Sequence, residues 1–161
     1  MPNLKWLLLS AVVVALDLWT KALASELLVL HRPVPVFPGF NLTLMHNEGA
    51  AFSFLHTAGG WQRWFFSGIA LVVSTVIVVW LTRLKPGQRW LALALAMILG
   101  GALGNLWDRL TLGYVVDFIQ VYYDRWYWPA FNLADSAITA GAVILVLDSL
   151  LGKHEKTGGK A

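Results

Sequence analysis

The chain has 161 residues, of which 58% are apolar and 13% charged, against roughly a quarter charged in soluble domains. A mean hydropathy of +0.64 and nine Trp exclude a soluble globular domain and an intrinsically disordered one; the lack of Cys excludes a disulfide framework, a thiolate metal site and a Cys nucleophile. The net charge is only +3 despite a pI near 9.4, so the basic residues are read by their position and not as a nucleic-acid signature.

A helix needs about 20 mostly apolar residues to cross a hydrocarbon core of about 30 Å. Segments 4–24, 64–82, 90–107 and 131–151 qualify, which predicts an all-α polytopic membrane protein forming one domain over 1–161. The first segment carries Lys5, Asp17 and Lys21. Its Lys5, apolar run 6–16 and Ala22-Leu23-Ala24 imitate a cleavable signal peptide. Asp17 and Lys21 fit that poorly and fit a retained polar pair better. They lie four apart, share a helix face, and would fix the first helix against the bundle as an ion pair.

In the connection that follows, Phe40-Asn41-Leu42-Thr43-Leu44 alternates as a strand does, after punctuation by Pro33, Pro35, Pro38 and Gly39. Segment 47–53 is expected to turn into a second strand, giving a small outer sheet. Asn41-Leu42-Thr43 is a formal glycosylation sequon, read as chance. Gly59-Gly60 fits either a mobile lid or a plain turn. The second span is uncharged between Arg63 and Arg83, and the loop after it holds Arg83, Lys85 and Arg89 with no acid. Lys5 and the tail lysines Lys153, Lys156 and Lys160 fall on the same side, which predicts both termini in the cytoplasm. The two longer connections then face outward and carry most of the acidic residues, Glu26, Glu48, Asp108, Asp117 and Asp124.

The third span ends in a small-residue face, Gly100 and Gly104, that lets another helix approach closely. Asn105, Asp108 and Arg109 sit just beyond; Arg109 suits a helix C-terminus and Gly113 a helix stop. Tyr122, Tyr123, Trp126, Tyr127 and Trp128 read as an aromatic belt at the membrane surface, favoured as an anchor over direct contact with substrate. The fourth span carries Asp135 near its outer end. Ionisable residues at membrane depth are functional candidates by default. Asp117 and Asp135 both fall near the outer boundary among apolar neighbours. Two such carboxylates would share a proton, so that one activates water while the other protonates a carbonyl oxygen. Equally, Asp135 could cap the fourth helix and Asp117 pair with Arg109; spacing alone leaves both open.

Five blocks, in order, resemble the bacterial lipoprotein signal peptidases, or signal peptidase II: Asp17-Leu18-Trp19-Thr20-Lys21, Asn47-Glu48-Gly49-Ala50-Ala51-Phe52-Ser53, Gly100 to Arg109, Val115-Val116-Asp117-Phe118 and Phe131-Asn132-Leu133-Ala134-Asp135. With the four-span layout they cover essentially the whole chain. The resemblance implies an inner-membrane aspartyl endopeptidase with Asp117 and Asp135 as its catalytic dyad. It implies diacylglyceryl-modified prolipoprotein as substrate, cut on the amino side of the lipidated Cys, no metal or other cofactor, and inhibition by globomycin. Four helices, a small periplasmic β-sheet and a short periplasmic helix are implied for the fold. By the same carry-over Asn47, Gly49, Asn105, Asp108, Arg109 and Asn132 support the site or contact substrate, and Asp17 and Lys21 are a structural pair. A monomer is expected.

Three rivals compete. A small channel or transporter with an acidic outer vestibule would also bury polar groups. A serine–lysine peptidase would use Ser53 or Ser136 with Lys21, but no Gly-x-Ser-x-Gly elbow is present. A metal hydrolase would need ligand spacing, and His31, His46, His56 and His154 are scattered.

Overall fold

The computed structural model describes residues 4–49 and 60–151. Helix α1 spans Leu4–Leu27, α2 Trp61–Thr82, α3 Arg89–Thr111 and α4 Leu133–Leu151. All four are long and apolar enough to cross a membrane, so the protein is a multi-pass membrane protein. The helices run past the expected spans mainly at the sheet end, where α1, α2 and α3 each continue by three or more residues. Among the described residues four strands stand at one end of the bundle: β1 Val34–Phe37, β2 Phe40–Asn47, β3 Val115–Tyr123 and β4 Trp126–Tyr127, antiparallel throughout and in the order β1-β2-β3-β4.

Helix α3 is the central helix and packs against α1, α2 and α4. Lipid is as apolar as Leu, so helices in it associate by close packing and not by a hydrophobic drive. The sequence supplies the small residues this needs. A Cβ on Gly100 would lie 2.6 Å from the Val13 Cβ of α1, and one on Gly104 would strike the Asp17 carboxylate. Gly101 does the same work toward α4, where a Cβ would run into the Ala134 carbonyl and Ile138; Gly141 returns it, 2.7 Å from the Ala94 carbonyl oxygen. Away from the sheet, Ile77, Leu81, Leu84, Ala92, Leu95 and Leu99 form an apolar core with Trp6 and Leu7 against it.

The expected strand at Phe40 is present and runs on to Asn47. Its partners are β1, through the tight turn at Pro38-Gly39, and β3. The second strand expected after segment 47–53 lies outside the described residues, as do Ser53, His56, Gly59, His154 and the tail. Among the described residues there is no short outer helix. Gly113, at φ +91, ends α3 as expected, its N–H and that of Leu112 pointing back to the Asp108 carbonyl. The chain then enters β3, so Asp117 lies on a strand, which was not assigned from the sequence. The aromatic cluster occupies the β3–β4 hairpin: Tyr123, Trp126, Tyr127 and Trp128 are exposed there, and Tyr122 stacks on Tyr127. Asn41 and Thr43 of the sequon are buried in the sheet. Gly60, at φ +84, is the N-cap residue of α2.

Candidate active site

Three pieces of backbone place the polar residues. Sheet pairing sets Met45 opposite Asp117 and Asn47 opposite Val115. Ile119 and Phe131 exchange backbone hydrogen bonds of 2.8 and 2.9 Å, which fastens the start of α4 to β3. Helix α4 then opens with a reciprocal cap: the Asp135 N–H donates to Asn132 Oδ1 at 2.9 Å, and Asp135 Oδ2 accepts from the Asn132 N–H at 3.2 Å. This is a capping box built from Asn and Asp. Asp135 is therefore a helix cap, as one sequence reading held, and also faces the cleft described below.

Asn132 is fully buried and joins the two carboxylates. Its Nδ2 donates to Asp117 Oδ1 at 2.7 Å, with the Val116 carbonyl at 3.2 Å and Asn105 Oδ1 at 3.1 Å also within reach. Asp117 Oδ2 accepts from Asn47 Nδ2 at 3.0 Å, and Asn47 is held in turn by the Gly49 N–H on its Oδ1 at 3.1 Å. Asp135 Oδ1 accepts from Asn105 Nδ2 at 2.8 Å. Three asparagines thus hold the two aspartates. Asp117 does not pair with Arg109: the bonds to its carboxylate come from Asn47 and Asn132, while Arg109 Nη1 reaches the Asn105 carbonyl at 3.3 Å and its guanidinium lies 5.6 Å from the Phe66 ring centroid.

Asp117 is 2% exposed. Burial pushes its carboxyl up from 3.8 to about 7, and the neighbouring Asp135 adds to the rise; Asn47, Lys21 and Asn132 oppose it. On β2, partial burial lowers His46, whose ring stacks on Tyr114 with centroids 4.0 Å apart.

Below this layer, Asp17 and Lys21 form the expected ion pair at 2.7 Å, with both side chains buried. Lys21 Nζ also reaches Asp108 Oδ2 at 2.9 Å and Asn105 Oδ1 at 2.9 Å. Lys21 is thus engaged on three sides, and Ser136 Oγ donates to the Asn132 carbonyl at 2.9 Å, so these two do not form a serine–lysine pair.

Asp117, Asp135, Asn47, Gly49, Asn105 and Arg109 all border one cleft of about 1040 Å³. Its far wall is the α4 face of Ser136, Thr139 and Ala140; His31, Met45, His46 and Gln120 line the sheet side. Asn132 and Asp108 stand behind the wall and do not line it. Gln120 is a cleft residue that sequence reading missed. Thr43 Oγ1 donates to its Oε1 at 2.8 Å across the β2–β3 pair, a contact 77 residues apart in sequence that no local pattern reveals.

Four spans, a sheet at one end and a polar cleft beneath it describe a class of small integral membrane enzyme. Two solved structures share the fold, each titled as a bacterial membrane enzyme structure. One has a TM-score of 0.83 and 28% identity, covering 98% of this chain and 93% of that one. The other has a TM-score of 0.78 and 30% identity, covering 91% and 92%. The family described as signal peptidase (SPase) II matches residues 9–151, and the chain belongs to that family. The lipoprotein signal peptidase of Teredinibacter turnerae is 58% identical over 98% of this chain and 94% of its own length. That of Pseudomonas aeruginosa strain UCBPP-PA14 is 57% identical over 94% and 90%, and that of Acinetobacter baumannii 58% over 96% and 88%. These relatives do not favour a channel or transporter.

Proposed function

We propose that this protein is an intramembrane aspartyl endopeptidase that removes the signal peptide from diacylglyceryl-modified prolipoproteins, cutting on the amino side of the lipidated Cys. The observation that carries the reading is the pair Asp117 and Asp135, bridged by Asn132 at the wall of an open cleft. A pair of this kind holds one proton between its members. Asp117, with its carboxyl near 7, is the favoured carrier. The ionised partner takes a proton from water as the oxygen attacks the scissile carbonyl carbon. Asp117 gives its proton to the carbonyl oxygen, forming a neutral gem-diol. Collapse of the diol breaks the C–N bond, one carboxyl protonating the departing amine while the other reclaims a diol proton. General acid–base help of this type contributes about 10²–10⁴-fold.

The substrate is a helix whose backbone bonds are closed within it while it lies in lipid. It must be extended before it is cut. Asn47, Gly49, Asn105 and Arg109 border the cleft and are the groups we assign to holding the extended chain; Asn132 and Asp108 support them from behind. Orientation follows from charge. Arg83, Lys85 and Arg89 lie at the end opposite the cleft; the excess of Lys and Arg in cytoplasmic loops supports a cytoplasmic side for that end and for both termini, with the cleft at the periplasmic face. Globomycin-type inhibitors would occupy the same cleft, and a monomer suffices for it.

The test compares cleavage of a diacylglyceryl-modified prolipoprotein by wild type, Asp117→Asn and Asp135→Asn, with helicity and melting in detergent followed in parallel. Both variants should stay folded and lose about 10²–10⁴-fold in turnover or more. A folded variant with substantial activity would move the chemistry to another residue.

A further inference from the structure

The buried cation under the site is placed for more than helix packing. Anchoring α1 to α3 would need only a bond from Lys21 to one group on α3. Here Lys21 Nζ has three partners: Asp17 Oδ2 at 2.7 Å on its own helix, and Asp108 Oδ2 and Asn105 Oδ1, each at 2.9 Å, on α3. The second bonds of those partners are what matters. Asp17 Oδ1 accepts the backbone N–H of Ala134 at 2.8 Å, the residue immediately before Asp135. Asp108 Oδ2 accepts the backbone N–H of Val116 at 3.1 Å, the residue immediately before Asp117. Asn105, its Oδ1 taken by Lys21, is left with its Nδ2 for Asp135 Oδ1. One ammonium is therefore one bond removed from the backbone that presents each aspartate, and from one carboxylate itself.

We propose that Lys21 is a positioning residue of the reaction: through Asp17 and Asp108 it fixes the spacing of the two carboxylates, and through Asn105 it sets the orientation of Asp135. The inference rests on the dyad reading above. An ammonium suits the task because it offers three hydrogens in a compact tetrahedral array, where guanidinium is a planar fork. Gly104 belongs to the same device, since any side chain there would displace the Asp17 carboxylate. The charged groups facing Lys21 are Asp17 from α1 and Asp108 from α3; beyond Asn105 and Asn132 stand Asp117 on β3 and Asp135 on α4, with Arg109 on the cleft side.

The experiment measures kcat, KM and the pH profile for Lys21→Arg, Lys21→Met and the neutral triple variant Asp17→Asn/Lys21→Met/Asp108→Asn, on diacylglyceryl-modified prolipoprotein, with detergent melting as the fold control. A displacement of about 1 Å at reacting groups costs on the order of 10²-fold. Folded Lys21→Arg should lose about that factor in kcat with KM within about threefold. Where Lys21→Met folds, its alkaline limb should also move to higher pH, because a cation that holds down the proton affinity of Asp117 is gone. Should Lys21→Met not fold, Lys21→Arg and the triple variant decide the matter. Wild-type kcat and an unmoved pH profile in a folded variant would overturn the proposal. So would failure of all three to fold, which would assign Lys21 to structure alone. Activity surviving in Asp117→Asn or Asp135→Asn would sink the dyad reading itself. Inert dyad variants beside a fully active Lys21→Arg would sink only this inference.

Discussion

Away from the sheet, α3 turns Ala92, Leu95 and Leu99 toward Ile77, Leu81 and Leu84, and no charge takes part. At the sheet end the same helix turns Gly104, Asn105 and Asp108 toward Lys21 and Asn132. Both ends are close-packed and both are buried. They differ in what a substitution would cost. The apolar end holds the helices together by contacts that any side chain of the right shape supplies. The polar end adds directional bonds, each tied to a dyad aspartate or to the backbone just before it, so errors there are read out as chemistry.

Leu95→Ala and Leu99→Ala should separate the two ends most clearly. Both side chains are almost fully buried, and removing one should cost about 2–5 kcal/mol of stability. Turnover per folded molecule should stay within about twofold, since no bond of the polar layer is touched; a loss of kcat matching the dyad variants would erase the distinction. Gly101→Ala stands between the two ends. Its new methyl meets the Ala134 carbonyl and Ile138, and Ala134 directly precedes Asp135. Backbone cannot move aside as a flexible side chain does, so overpacking should cost about 1–3 kcal/mol. Both melting temperature and kcat should fall, whereas the two leucine variants lower the first alone.

At the polar end, Asp117 responds to pH. Its carboxyl is raised from 3.8 to about 7, so the folded protein binds this proton more tightly than the unfolded chain does. The stability contributed by Asp117 therefore falls as the pH rises from about 4 to about 7 and levels off above, where both states have lost the proton. Turnover should decline above a midpoint near 7, approaching tenfold per pH unit, as the proton carrier empties. Melting curves of Asp117→Asn should lose the slope that wild type shows between these limits, and a wild-type rate flat to pH 9 would dismiss Asp117 as the acid.

Much of this was legible in the sequence, for definite reasons. Long apolar runs give the helices. Asp17 and Lys21 pair because four residues make about one helical turn. Gly113 stops α3 because it supplies a left-handed cap. Asp135 was legible as a cap because it falls in the first turn of the fourth span, where a carboxylate meets unpaired backbone N–H groups. Strand β3 was missed because Val115 to Phe118 are all buried, on both faces, so the run Val-Val-Asp-Phe lacks the alternation of a half-exposed strand. The bonds from Asn47 to Asp117 and from Lys21 to Asp108 join residues 70 or more apart. They exist only once the sheet pairs and the glycine faces bring α1 against α3.

The smallest effect is expected where the two regimes meet neither the core nor the cleft. Arg63, near the start of α2, donates from Nη2 to the Leu110 carbonyl at 2.9 Å, and its guanidinium lies 4.9 Å from the Trp64 ring centroid. Leu110 is in the last turn of α3, where carbonyls lack partners within the helix and the dipole favours a cation. The bond is exposed, so Arg63→Gln should cost only about 0.3–1 kcal/mol. Its direction is the informative part. Arg63 ties α2 to the very end of α3, two residues past Asp108. Detergent melting should fall slightly and become less salt-sensitive, with kcat unchanged. A fall in kcat would show that the end of α3 needs α2 to hold Asp108 and Asn105 in register, and that the polar layer extends one helix further than its hydrogen bonds do.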